Sequence, residues 1–169
     1  MVLCNSCVKD DGEALPTCDQ ACQDNLTSAG VIDLWGFLYN QNFAGQPVGA
    51  QNLEVDCALG GSVHITGSNG YDPTTEVVAL NLSYDMASCA ASDSTYNLTL
   101  DGVVSQSGTT EHQGQISIVY GSAAITFDGT VGDEPATEDN CSLALQEQRD
   151  SDNSNYRVSG TLCARPVSY

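Results

Sequence analysis

The chain has 169 residues and carries 4 lysines and arginines against 22 aspartates and glutamates, for a net charge of -18 at neutral pH. Its length is sufficient for one domain with a buried core. The charge repels polyanions, which argues against nucleic acid or an anionic membrane as a partner, and it is compatible with weak cation binding. No run of the sequence approaches the ~20 consecutive apolar residues of a membrane-spanning helix, so we expect no transmembrane segment.

The chain is predicted to contain two regions of unequal size. Residues 1–17 are turn-rich and are expected to form an irregular, cysteine-bearing N-terminal arm. Residues 18–169 are expected to form a single β-rich domain that begins with helical sequence. After Pro47 the spacing of apolar residues changes from about 3.6 to 2, which marks the transition from helix to strands.

The helical region is interpreted as two helices. Thr17 can cap a short first helix, and Ser28 can cap a second one. Apolar residues at helical spacing predict this second, principal helix over about 29–42, and its nearly all-round apolar character indicates burial against a sheet. The alternative interpretation is a strand at Ile32 to Leu38, with Gly36 as a bulge.

The remainder of the domain alternates apolar and polar residues and predicts about eight strands. The connections between them are short and rich in Gly, Asn, Asp and Ser, which favours an antiparallel meander. The predicted strands are 53–57, 63–67, 78–86, 96–104, 116–120, 123–131, 141–145 and 156–162.

Four of these strands contain the same five-residue unit: apolar, any, apolar, any, glycine. The units end at Gly67, Gly102, Gly129 and Gly160. In an alternating meander they fall on the second, fourth, sixth and eighth strands, which run in one direction. We expect the glycines to lie at a similar level on the inner face and to let the sheet bend sharply. The alternative is that each glycine is a local bulge or a strand end.

The predicted fold is therefore mainly β. We expect a strongly coiled antiparallel meander of about eight strands, barrel-like or sandwich-like, closed or nearly closed, and packed on one N-terminal helix. The chain has an even number of cysteines and one lysine, a combination that favours an oxidising location: secreted, periplasmic or cell-envelope. We therefore expect disulfides to cross-link the domain. The disulfide candidates are Cys4, Cys7, Cys18, Cys22, Cys57, Cys89, Cys141 and Cys163.

The N-terminal cysteines leave alternatives open. Cys4, Cys7, Cys18 and Cys22 could together bind a tetrahedral zinc ion, and Cys4 could carry a lipid. Cys18 and Cys22 lie one helical turn apart and should point in the same direction. We therefore expect each of them to bond a cysteine elsewhere rather than to bond the other.

The sequence contains no strong catalytic motif. His64 and His112 are the two histidines, and no Gly-x-Ser-x-Gly turn accompanies them. We therefore expect a non-catalytic protein with no cofactor. A weak calcium candidate is the loop that presents oxygen-bearing side chains at alternate positions, although an ordinary hairpin loop explains it equally. Its candidate ligands are Asp150, Asp152, Asn153 and Asn155.

The segment Cys57-Ala-Leu-Gly-Gly-Ser-Val-His-Ile-Thr-Gly67, followed by Leu80-Asn-Leu-Ser-Tyr84 and Cys89, resembles uncharacterised predicted secreted proteins and lipoproteins of myxobacteria-like bacteria. The resemblance covers about the C-terminal two-thirds of the chain. It implies an extracellular or cell-envelope location and carries no catalytic residues.

Two functional hypotheses follow from these observations. The first is an exported structural or adhesive protein, a subunit of an extracellular or cell-surface fibre, whose partner is a second copy or another cell-surface protein or glycan. The second is a small-molecule carrier that encloses an apolar ligand in a closed meander. A packed centre favours the first hypothesis, and an unfilled apolar cavity favours the second.

Overall fold

The computed structural model describes residues 18–43, 48–111, 114–132, 134–151 and 155–169. Within them, one helix packs on one open antiparallel sheet, so the mainly β prediction is confirmed. The sheet order is β1-β2-β3-β4-β5-β7-β8-β9, with β6 paired to β5. The elements are α1 (Gln20–Asn42), β1 (Gly49–Asp56), β2 (Gly60–Asp72), β3 (Val77–Ser92), β4 (Tyr96–Glu111), β5 (Ile116–Val131), β6 (Glu134–Pro135), β7 (Glu138–Arg149), β8 (Arg157–Leu162) and β9 (Arg165–Ser168). The predicted N-terminal arm lies outside the described residues.

The sheet is open rather than closed or nearly closed. Its edge strands, β1 and β9, each pair with one neighbour and not with each other. In the described part of the chain, no helix combines the length and the apolarity that a bilayer span requires.

The helical region forms one helix, so its division into two is wrong. Asp19 caps α1, and its carboxylate accepts a hydrogen bond from the Cys22 amide at 2.9 Å. Ser28 lies inside the helix and donates its hydroxyl to the Asn25 carbonyl at 2.9 Å. A serine that bonds the preceding turn in this way does not need to act as a cap. The strand alternative at Ile32 to Leu38 is also wrong, because both residues are helical.

The helix is held to the inner face of the sheet at its N-terminal end and its middle. Arg165 at the start of β9 makes two hydrogen bonds to Asp24, at 2.8 and 3.0 Å, and one to Glu138 at 2.6 Å. In the middle, Trp35 is fully buried and stacks on Tyr120 of β5, with the ring centroids 4.8 Å apart. Aromatic stacking of this kind adds to the gain from burial. The position of the helix over β4, β5 and β9 is thereby set.

One residue of α1 shows how closely the helix approaches the sheet. A side chain at Gly30 would place its Cβ 2.9 Å from Cγ of Tyr96 on β4. Glycine at this position therefore lets the Tyr96 ring pack against the helix backbone.

The two predicted strands 116–120 and 123–131 are one strand, β5, and Gly121-Ser122 is not a turn. The pairing with β7 is irregular between Ser122 and Ile125, so the backbone stays in the sheet through a bulge. This merger reverses the direction expected for every later strand. β5 and β8 run opposite to β2 and β4.

The four unit glycines do not share one level, contrary to expectation. Gly67 and Gly160 do lie in one cross-strand row, which consists of Gly67, Leu82, Gln106, Tyr120, Leu145 and Gly160. Gly102 lies on β4, four residues before Gln106 of this row. Gly129 lies on β5 opposite Leu98, which is eight residues before Gln106 on β4. The register of the strands, which depends on the merged β5, separates them.

Bulges form the line along which the sheet bends. Register irregularities occur next to one another on consecutive strands, close to the row that contains Gly102. They fall between Gly60 and Ser62, Met86 and Cys89, Gly102 and Ser105, and Ser122 and Ile125. Each bulge bends its strand and increases the local twist. The coiling that we expected from aligned glycines thus arises from aligned bulges.

Two disulfides lie beside this line. Cys57 bonds Cys89, which directly follows the bulge of β3. Cys141, opposite Ile125 at the bulge of β5, bonds Cys163. Cys163 and Ala164 form the two-residue turn between β8 and β9, and both have positive φ, at 51° and 61°. The bridge therefore anchors a strained turn to the bent part of the sheet.

The third disulfide corrects the expectation for the helix cysteines. Cys18 and Cys22 bond each other, with their Cα atoms 5.4 Å apart. Cys18 precedes the cap residue and is outside the helix, so it is free to turn toward Cys22. Cys4 and Cys7 lie outside the described residues.

We predict that the disulfides differ in their contribution to stability according to the loop that each one closes. Removing Cys57–Cys89, with a sequence separation of 32, by a double change to alanine should lower the free energy of unfolding by about 3–4 kcal/mol. Removing Cys18–Cys22, with a separation of 4, should lower it by about 2 kcal/mol or less. Urea titration of both double variants measures the difference, and equal losses would contradict the prediction.

Candidate functional site

A cleft of about 840 Å³ lies between the C-terminal half of α1 and the inner face of the sheet. We refer to it as the helix–sheet cleft. Its helix wall consists of Ile32, Asp33, Gly36, Phe37, Tyr39, Asn40 and Phe43. Its floor comes from successive cross-strand rows of β2, β3, β4, β5 and β7: Asn69, Tyr71, Val78, Leu80, Gln106, Thr110, Ile116, Ile118, Tyr120, Glu147 and Arg149. Val48, Glu111 and Tyr156 complete the lining.

Two glycines help to leave this space unfilled. Gly108 occupies the floor row between Leu80 and Ile118, where its φ is +135° and a Cβ would collide with the Ser117 carbonyl oxygen. A larger residue is therefore excluded at this point. Gly36 faces the cleft from the helix, and a Cβ there would meet no atom within 4 Å. The Cβ position of Gly36 is open, so a side chain introduced there would begin in the space of the cleft.

A chain of buried polar side chains crosses the floor of the helix–sheet cleft. The Tyr84 hydroxyl donates to the Gln106 amide oxygen at 2.7 Å. The Gln106 amide nitrogen donates to the Tyr120 hydroxyl at 3.4 Å, and that hydroxyl donates to the Glu147 carboxylate at 2.7 Å. All four side chains are at most 8% exposed. In each of these hydrogen bonds the donor lies on the Tyr84 side, and the last acceptor is the Glu147 carboxyl. When it is ionised, this group only accepts hydrogen bonds, and when it is protonated it keeps an accepting oxygen.

Glu147 is the buried charge of this network. Burial raises the pKa of its carboxyl, whereas hydrogen bonds from the Tyr120 and Tyr156 hydroxyls and the charge of Arg149 lower it, and burial prevails. Within the described residues, no basic group lies within 4.0 Å of the Glu147 carboxylate. Burial also raises the pKa values of Tyr84 and Tyr120, which keeps both phenols protonated as donors. A buried carboxyl without an ion pair destabilises the fold when it ionises.

The mouth of the cleft is apolar and exposed. Seven large hydrophobic side chains are exposed among the described residues, and four of them line this cleft: Phe37, Val48, Tyr71 and Tyr156, each 47–54% exposed. Grouped exposed apolar side chains around a concavity are typical of binding sites.

The residues singled out from the sequence lie elsewhere. His64 lies on the exposed outer face of β2, opposite Glu54 of β1 and Asp85 of β3, and its Nε2 is 2.7 Å from the Asn52 amide oxygen. Asp150 accepts a hydrogen bond from Asn155 at 2.9 Å, as in an ordinary loop. The other calcium candidates, Asp152 and Asn153, and also His112, lie outside the described residues. No group of three or more potential metal ligands occurs in the part of the chain that the structure describes.

Sequence reasoning missed the polar floor of the cleft, although a signal was present. Gln106 and Glu147 occupy inner-face positions in strands that otherwise place apolar residues there, such as Val104 and Leu145. A polar residue in the apolar phase of a strand has to find a buried partner or line a cavity. The departure from alternation at these two positions marks the site.

Comparisons with protein-family models, curated proteins and solved structures found no match to this chain. The function is therefore argued from the cleft itself.

We predict that Glu147→Gln stabilises the protein at neutral pH. The raised pKa of Glu147 means that the folded state favours the protonated form, so folding stability falls as pH rises above the ordinary carboxyl range of about 4. Glutamine retains an oxygen that accepts from Tyr120 and removes the charge. The melting temperature of the variant should exceed that of the wild type by several degrees near pH 7.

The two proteins should melt together near pH 3, where Glu147 is protonated in both folded and unfolded chains, below the ordinary range of about 4. Asp85→Asn, at an exposed position of β3, is the matched control and should leave the melting temperature close to the wild-type value at both pH values. A Glu147→Gln protein that is less stable near pH 7 would contradict the prediction.

Proposed function

We propose that this protein binds a small organic molecule with an apolar body in the helix–sheet cleft. The observation that carries the proposal is the unfilled space of about 840 Å³ at the end of a domain whose remaining interior is packed. Ligand sites in proteins commonly occupy about 300–1,000 Å³. The helix covers only part of the inner face, so it leaves this space open for a ligand.

The lining supports the same proposal. Twelve of the 21 lining residues are aliphatic or aromatic and eight are polar or charged, and the polar chain that ends at Tyr120 and Glu147 is held by hydrogen bonds on the floor. Apolar walls with a small number of oriented polar groups are the usual composition of a small-molecule site. The apolar surface supplies binding free energy, and the polar groups select the orientation of the ligand.

The proposal includes an exported setting. Three disulfides stabilise the described part of the chain, and disulfides persist in oxidising compartments. This agrees with the resemblance of the segment from Cys57 to Cys89 to secreted proteins and lipoproteins. The protein then acts outside the cytoplasm as a non-catalytic binding protein.

Binding is tested with a neutral, environment-sensitive dye such as N-phenyl-1-naphthylamine. We expect saturable fluorescence enhancement with one dye per chain and a loss of at least about tenfold in affinity for Gly36→Leu, whose added side chain occupies the cleft. Helical leucine is also more favourable than glycine, by about 1 kcal/mol, so the variant should remain folded.

Gln41→Leu is the matched control, since Gln41 is an exposed residue of the same helix and does not line the cleft. It should bind the dye as the wild type does. Non-saturable enhancement, or equal binding by Gly36→Leu and Gln41→Leu, would remove the basis of the proposal.

A structural role through strand-edge assembly is the second candidate, and the unequal edges of the sheet favour it. The β9 edge is covered, because the Asn25 side chain bonds both the amide and the carbonyl of Ser168, at 3.0 and 3.1 Å, and Pro166 interrupts the row of donors. Among the described residues, the β1 strand has eight residues and pairs only with β2. An edge strand with one paired side can pair with a second copy or with another cell-surface protein.

Sedimentation velocity over a range of protein concentrations tests this second candidate. Pairing of two β1 edges brings together chains that each carry a charge of -18. We therefore expect a dimer whose fraction rises with protein concentration and also with sodium chloride, which screens the repulsion. Monomers at every concentration and salt level would eliminate assembly through this edge.

A further inference from the structure

The aromatic side chains of this protein are concentrated in the helix–sheet cleft. Four of its seven tyrosines and two of its three phenylalanines line it: Tyr39, Tyr71, Tyr120, Tyr156, Phe37 and Phe43. The rings of Tyr39 and Phe43 lie 6.0 Å apart on the helix wall. The faces of aromatic rings carry negative potential and attract cations within about 6 Å. The cleft therefore gathers six aromatic side chains around the space for one ligand.

The charged side chains around the cleft are predominantly acidic. Glu147 lies on the floor, and Asp33 and Glu111 line the helix and β4 sides. Among the described residues of the lining, Arg149 is the one basic residue, and its Nε donates to the Gly114 carbonyl at 2.8 Å, so part of its guanidinium is engaged by the wall. Three carboxyls against one guanidinium leave the cleft with an excess of negative charge.

Of the three acidic residues in the lining, Glu147 is the buried one. The residue is 8% exposed, it receives the Tyr120 hydroxyl at 2.7 Å, and it has no basic partner within 4.0 Å among the described side chains. An unpaired buried carboxylate destabilises a fold and is relieved by an opposite charge placed beside it. A neutral ligand leaves Glu147 unpaired, and an anionic ligand adds repulsion.

Building on the small-molecule binding proposed above, we infer that the ligand is an organic cation. An ammonium or quaternary ammonium group lies against Glu147 and the aromatic rings, and an apolar portion extends toward the exposed mouth formed by Phe37, Val48 and Tyr71. The occupied cleft then supplies the ion pair that the carboxylate lacks. The same contacts cover the apolar side chains at the mouth.

The test compares phenyltrimethylammonium with its neutral isostere tert-butylbenzene, in a buffer with enough salt to screen the general surface charge. Trp35 is the single tryptophan of the chain and stacks on Tyr120 of the cleft floor, so its fluorescence reports occupancy. We expect the cation to bind the wild type at least about tenfold more tightly than the isostere, since both charge pairing and cation–π attraction favour it.

Two variants separate the cleft from the overall charge. Glu147→Gln should reduce the affinity for the cation by about tenfold or more, and it should reduce the ratio of cation affinity to isostere affinity by a similar factor. Asp85→Asn removes one negative charge at an exposed position of β3 that does not line the cleft, and it should leave both affinities unchanged. Wild-type affinity for the cation should increase with pH as Glu147 ionises, and affinity for the isostere should not.

The outcomes distinguish this inference from the proposed function. If the isostere binds as tightly as the cation, or if Asp85→Asn weakens the cation as much as Glu147→Gln does, the cation inference is overturned and small-molecule binding stands. If the two probes and the neutral dye fail to bind the wild type, or if they bind Gly36→Leu as tightly as the wild type, small-molecule binding itself is rejected.

Discussion

The structure depends on the packing of one helix against a sheet that is larger than the helix can cover. A helix of 23 residues is about 34 Å long, whereas strands of 16 residues extend over about 53 Å before they bend. Arg165 fixes the first half of α1 through Asp24, and Trp35 fixes its middle on Tyr120. The inner face beyond these contacts is only partly covered. The helix–sheet cleft is a consequence of this mismatch.

The bend of the sheet determines where the mismatch appears. Adjacent bulges on β2, β3, β4 and β5 curve the strands along one line, and two disulfides lie beside it. On one side of the line, residues such as Leu100 and Phe127 pack into a closed interior. On the other side, the strands continue past the end of the packed core and supply the floor of the cleft. The half of the sheet that carries the two disulfides thus supports the half that forms the floor of the cleft.

The polar chain on the cleft floor is difficult to explain as a stabilising feature. Tyr84, Gln106 and Tyr120 satisfy one another, but the carboxyl of Glu147 has a raised pKa and lacks a basic partner among the described residues. Apolar residues of similar volume would serve the fold at least as well. Features that reduce stability without a structural benefit are concentrated at functional sites. Under the proposed binding of an organic cation, the acidic, aromatic lining gives this feature a chemical purpose.

The sequence by itself determined the class of the fold, the apolar phase of its strands, the burial of its helix and the use of disulfides. These depend on local periodicity and composition, which are legible in a single chain. Tertiary structure alone decided that 116–131 is one strand, that Cys18 bonds Cys22, that bulges rather than glycines align, and that Gln106 and Glu147 share a cleft with Tyr39 and Phe43. Each of these depends on register and on helix position, which arise from contacts between residues far apart in the chain. Local pattern cannot specify such contacts, because a shift of one residue in pairing moves every side chain to the opposite face.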